Sequence, residues 1–163
     1  MELKLITTPA AEIQADSLVA ICFTGGAAVP ELPGEAASLI SESIAAGEFD
    51  PKPFETMLVH RPAGLATRRL LVCGAGEKDK LTPALARKIA GTAIRALKPL
   101  KHRTVAFALA AGLAEPECVE ALACGALLAD FETDRLKTDE KLREKHIDTV
   151  LVSVPEITPA LEA

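Results

Sequence analysis

A run with the right residue types and spacing for chemistry is Gly74-Ala75-Gly76, followed two residues on by Lys78. Glycines that leave a strand expose backbone N–H groups, and a nearby lysine adds positive charge, so such a run could cradle a phosphate. Position 79 is Asp where a dinucleotide fingerprint would carry its third glycine. The helix that follows begins only near Thr82, so the turn does not feed straight into a helix N-terminus. Gly74, Gly76 and Lys78 are the candidate ligand-binding residues, and a tight strand exit is the plainer reading of the same run. Gly25-Gly26 is a shorter exit of the same kind.

Other chemistries find little to work with. Nucleophilic catalysis needs a Ser or Cys activated by a base, yet Ser17, Ser38, Ser41 and Ser43 lie in no GxSxG elbow. Cys22, Cys73, Cys118 and Cys124 form no CxxC pair, and His60, His102 and His146 are far from one another and from every Cys in sequence. A local zinc motif is not indicated, and the four cysteines read as small buried hydrophobes. Asp130, Asp134 and Asp139 have the spacing of a charged helix end more than of a ligand set. No catalytic residue, metal ligand or cofactor is assigned to the chain.

The elements that would position these residues alternate between strand and helix. Leu3-Lys4-Leu5-Ile6-Thr7 reads as a first strand, and residues 17–23 form a continuous apolar run, as in a strand buried on both faces. Pro33 opens a helix with Ala36, Ile40 and Ile44 on one face and Gly47 at its C-terminal cap. Residues 55–60 and 69–73 flank Pro62-Ala63-Gly64 and predict a hairpin. Thr82 caps a helix with Pro83 at its first position. Leu85, Ile89, Ala93 and Leu97 are its buried stripe, and Arg87, Lys88, Arg95 and Lys98 its wet face. Residues 104–109 are a buried strand. Residues 115–131 are a helix apolar nearly all round, expected to be sandwiched. A charged stretch, 132–145, precedes a last strand at 149–154, and the tail beyond Pro155 reads as unstructured. This order predicts a three-layer α/β domain: a mostly parallel sheet, one antiparallel hairpin, helices on both faces.

Composition narrows the classes. At 163 residues the chain suits one domain, and 49% hydrophobic against 25% charged residues predicts a packed core. With no Trp, no Tyr and only five Phe, it has little with which to stack bases or sugars. Its most apolar stretch, 118–131, is broken by Glu120 and Asp130 and falls short of the about 20 residues of a membrane span. Met1-Glu2-Leu3-Lys4 lacks the layout of a secretory signal, so a cytoplasmic location and no membrane partner are expected. The net charge is −5, but residues 61–103 hold eleven Lys or Arg against two acids. That segment is either an anionic-ligand or nucleic-acid surface, or a solvated helix face and hairpin paired with the acidic remainder. Without a nucleic-acid module the second reading is preferred, and nucleic acid is not expected as a partner.

One ordered series of segments carries a resemblance. Gly47-Glu48-Phe49 is followed by Phe54-Glu55-Thr56-Met57-Leu58-Val59 and then by Arg68-Arg69-Leu70-Leu71-Val72-Cys73-Gly74-Ala75-Gly76-Glu77-Lys78. Leu81-Thr82-Pro83 and Arg87-Lys88-Ile89-Ala90-Gly91-Thr92-Ala93-Ile94-Arg95-Ala96-Leu97-Lys98 come next. Glu120-Ala121-Leu122-Ala123-Cys124-Gly125-Ala126-Leu127-Leu128-Ala129-Asp130-Phe131 and Asp134-Arg135-Leu136-Lys137-Thr138 complete it. The series resembles the N-terminal domain of the leucyl (cytosol) aminopeptidase family over residues 3–154, with 155–163 as a tail or the start of a linker. Cys73, Ala75 and Leu136 depart from the family's commoner residues.

The resemblance implies a macro-domain-like fold, a cytoplasmic location and hexamers. It also implies removal of N-terminal amino acids by two divalent metals, zinc or manganese. Those metals and the catalytic residues belong to a separate C-terminal domain whose hallmark segment has no counterpart here. The chain is thus expected to be a non-catalytic accessory or oligomerisation domain, no enzyme by itself. Its partners would be a catalytic aminopeptidase domain, in cis or as a separate chain, and further copies in a homo-oligomer. The alternative is a stand-alone macro-like module that binds a nucleotide or another phosphate-bearing small molecule.

Overall fold

Ser17-Leu18-Val19-Ala20-Ile21-Cys22 is buried at every position, which only a central strand covered on both faces can be. In the computed structural model, which describes residues 1–25, 32–131 and 146–162, this strand, β2 (Ser17–Cys22), sits inside a six-stranded sheet. The other strands are β1 (Glu2–Ile6), β3 (Thr56–His60), β4 (Arg69–Gly74), β5 (Thr104–Ala108) and β6 (Thr149–Ser153). Their order is β1-β6-β5-β2-β4-β3. All neighbours are parallel except β3 and β4, the antiparallel hairpin expected from the sequence.

Side chains along β2 alternate between two cores, as the two-residue period of a strand demands. Val19 and Ile21 join the larger core, beneath α2 (Pro83–Leu97) and α3 (Pro116–Asp130). Leu18, Ala20 and Cys22 join the smaller, beneath α1 (Gly34–Ala45). The domain is therefore three-layered, with helices on both faces of a mostly parallel sheet.

The helix boundaries follow their sequence signals. Thr82 Oγ1 accepts from the Leu85 N–H at 3.2 Å, satisfying one of the free donors of α2. α1 ends in a Schellman arrangement, with Gly47 N–H donating to Ile44 C=O and Glu48 N–H to Ser43 C=O. Gly47 has φ +74°, which a side chain would strain.

Three expectations are corrected. Lys98 does not lie on a wet face: it is 8% exposed. α2 ends at Leu97, and the 3-10 turn Lys98–Leu100 that follows swings the side chain inward to the end of α3. α3 is not sandwiched among the described residues. Val119, Leu122, Gly125 and Ala126 face inward, while Leu127, Leu128 and Phe131 are 46%, 63% and 72% exposed. The tail is not wholly irregular either, since it carries a short helix, α4 (Pro159–Glu162), that packs against α3. The charged stretch 132–145, with Asp134 and Asp139, lies outside the described residues.

Candidate functional site

The glycine turn leaves the end of β4, where Gly74 is its last residue. Its three backbone donors all have carbonyl partners. Gly74 N–H donates to Glu55 C=O at 2.8 Å, Ala75 N–H to Cys22 C=O at 2.9 Å, and Gly76 N–H to Pro51 C=O at 2.8 Å. Both glycines are there because the 50–55 loop presses on them. A Cβ at Gly74 would lie 2.2 Å from the Lys52 carbonyl oxygen, and one at Gly76 (φ +73°) would lie 3.0 Å from the Pro53 ring. An anion at this turn would have to displace a backbone carbonyl from each N–H it took. Lys78 is exposed and runs over Gly112, its Nζ 3.8 Å from where a Cβ on that glycine would be. It thus bridges the exits of β4 and β5 without a phosphate cradle beneath it. Gly25 (φ +91°) has open space around it, and Gly26 lies outside the described residues.

At the opposite ends of the same strands the fold assembles a polar cluster that the sequence alone does not show. Strand register puts His60, Arg69 and Ser17 in one row across β3, β4 and β2. His102, from the turn before β5, completes it. Ser17 Oγ is 2.5 Å from His102 Nδ1, Arg69 Nη1 meets His102 Nε2, and Arg69 Nε donates to His60 Nδ1 at 3.1 Å. Histidines remote in sequence therefore meet on a shared guanidinium.

The proton arrangement decides what the cluster can do. A guanidinium only donates, so His102 Nε2 accepts and the neutral ring carries its proton on Nδ1. The imidazole then donates to Ser17 Oγ, the reverse of a base that draws a proton from a nucleophile. Burial, then the Arg69 charge, lowers the His102 pKa below the ordinary 6.5, with Arg68 adding to the effect and Asp16 opposing it. Ser17 is fully buried. The cluster is a structural clamp on the strand ends.

Asp16 ties the same strand ends together by accepting from the N–H groups of Arg103 (2.9 Å) and Thr104 (3.1 Å). Burial pushes its carboxyl up, but these two bonds, with His102 and Arg68, outweigh it and hold the pKa below 3.8.

The remaining candidates are dispersed. Cys22 and Cys73 are wholly buried, and burial pushes the Cys73 thiol up to about 12, far from a reactive thiolate. Arg61, Arg68, Arg87, Lys88 and Arg95 are exposed, but on two separate parts of the surface, the hairpin and α2. Lys80, Lys98 and Arg103 pair with Glu77, Asp130 and Asp148. Among the described residues no three His, Cys, Asp or Glu side chains converge as a metal site, so they do not fit a pair of divalent metals. No described helix is long and apolar enough to cross a membrane.

Comparison with known proteins adds what the geometry leaves open. The family described as cytosol aminopeptidase family, N-terminal domain, matches residues 22–140. A probable cytosol aminopeptidase of Acidobacterium capsulatum is 31% identical over 176 residues, covering 98% of this chain and 34% of that protein. The chain spans about a third of the length of the curated relatives it matches. Among solved structures, a mutant of tomato leucine aminopeptidase superposes with a TM-score of 0.77 at 20% identity, over 99% of this chain and 34% of that one. A Trypanosoma brucei macrodomain in complex with ADP-ribose superposes with a TM-score of 0.66 at 14% identity, over 95% and 64%. The last two likenesses are of fold.

Proposed function

The chain belongs to the cytosol aminopeptidase family, as its N-terminal domain, and on that premise we propose that it serves as a non-catalytic accessory domain of a metal-dependent aminopeptidase. What supports this reading is the match of residues 22–140 to the N-terminal domain, in a chain about a third as long as the relatives. Removal of N-terminal amino acids by two divalent metals, zinc or manganese, belongs on this reading to the part of the protein beyond the domain. The domain's own work is to pack on that catalytic part and to contribute contacts in a cytoplasmic homo-oligomer. On this reading residues 1–154 form the domain, and 155–163 are a tail or the start of a linker.

The alternative is a macro-like module holding a nucleotide or another phosphate-bearing small molecule near Gly74, Gly76 and Lys78. The fold likeness to a macrodomain in complex with ADP-ribose favours it, but the turn's N–H groups are already taken by carbonyls. The accessory reading is the stronger. Its test is hydrolysis of leucine p-nitroanilide by the homogeneous chain with added zinc or manganese. No turnover above buffer is expected, and metal-dependent turnover would overturn the proposal.

A further inference from the structure

α3 has two faces of different fate. Val119, Leu122, Gly125 and Ala126 are buried against α2 and the sheet. On the outer side Glu117, Glu120, Ala121, Cys124, Leu127, Leu128 and Phe131 recur at helical three- and four-residue spacing and make one stripe. Its first half is acidic and its second apolar, ending in the exposed Leu127, Leu128 and Phe131. Toward its N-terminal end the stripe borders an open groove of about 400 Å³ lined by Pro83, Ala84, Arg87, Glu117, Glu120, Ala121 and Cys124. An apolar centre with charged residues at its margin is the composition of a protein interface.

We propose that this stripe, centred on Leu127, Leu128 and Phe131, seats the catalytic part of the same polypeptide. The proposal rests on the accessory-domain reading and names the face that it uses. Two observations favour this occupant. The relatives continue for about twice the length of this chain beyond the matched domain. The stripe is also small. Three large side chains do not supply the roughly 800 Å² per partner that a stable pair of free proteins buries. A tethered domain needs no such area, because the linkage raises its effective concentration to about the millimolar range.

The test compares hydrogen exchange of the 163-residue chain with that of the natural polypeptide carrying this sequence, isolated whole. Amides of residues 124–131 are expected to exchange about tenfold more slowly in the whole polypeptide, and the double variant Leu128→Glu, Phe131→Glu to abolish the difference. Protection on another face of the domain overturns this assignment and leaves the accessory reading standing. A natural polypeptide no longer than this chain removes both. Equal exchange of these amides in the free chain and the whole polypeptide also overturns it. Sedimentation of the free chain is expected to give a monomer. A dimer that the double variant dissolves would make a second copy the occupant instead.

Discussion

Gly125 in α3 lies so close to the Arg87 carbonyl of α2 that a Cβ on it would sit 2.1 Å from that oxygen. The two helices touch backbone to backbone at this crossing, which fixes the distance between them. Gly91, facing Gly125 on α2, has room by contrast, its Cβ position being 3.6 Å from the Gly125 oxygen and 3.4 Å from the Arg95 guanidinium. Gly125→Ala should therefore cost about 3 kcal/mol by forcing the helices apart. Gly91→Ala should stay within about 1 kcal/mol of unchanged, since alanine favours a helix. Urea denaturation of both variants checks the contrast, and equal losses would contradict the crossing.

Lys98 and Asp130 form a nearly dry pair, Nζ lying 3.5 Å from Oδ1 and 2.9 Å from the Asp130 carbonyl oxygen. Asp130 Oδ1 also accepts from the Ile147 N–H at 3.2 Å and so ties the chain before β6 to α3. Lys98→Met leaves a carboxylate unpaired in a poorly solvated place and should destabilise by about 3 kcal/mol. The double variant with Asp130→Leu should lose less than the sum of the two single changes. Strict additivity would mean that the pair does not couple.

His102 gives stability a pH dependence whose sign is fixed. Burial, then the Arg69 charge, keeps its folded pKa below the ordinary 6.5. Between those two values the unfolded chain binds more protons, so stability falls as the pH drops through 6.5 and levels off below the folded pKa. Above 6.5 the contribution is present in full. Asp16, lowered from 3.8, contributes stability above that value and loses it as the pH falls through its folded pKa. Denaturation from pH 8 to 4.5 should show the histidine-linked loss in the native chain and its removal in His102→Gln. An unchanged slope would contradict the clamp.

The glycine turn should behave as packing. Gly74→Ala meets the Lys52 carbonyl and Gly76→Ala adds a side chain at φ +73°. Each should destabilise by about 1–3 kcal/mol. Calorimetric titration of the native chain with ADP-ribose, ATP and NAD should give flat heats. Saturable heat lost in Lys78→Ala would restore the small-molecule reading.

Much of this architecture was legible in residue order. The all-apolar run at β2, the Thr82-Pro83 start of α2 and the glycine that ends α1 are local signals, and local signals survive into the fold. Lys98 leaves the wet face that the helical period predicts because α2 ends at Leu97 and the 3-10 turn that follows rotates the chain. Apolar residues all round α3 say that the helix has several partners, not which of its faces meet them within this domain. The Ser17–His102–Arg69–His60 cluster could not be read, because strand register joins three of its members and a turn remote in sequence supplies the fourth. The glycine run was visible, but the 50–55 loop that takes up its N–H groups is a tertiary contact.

The central claim is that this chain is the front part of a longer aminopeptidase. An antibody against the 163 residues, used on denatured lysate of the source cells, tests it most directly. The account predicts a single polypeptide about three times the length of this chain, as in the relatives. A product of 17.1 kDa would contradict it.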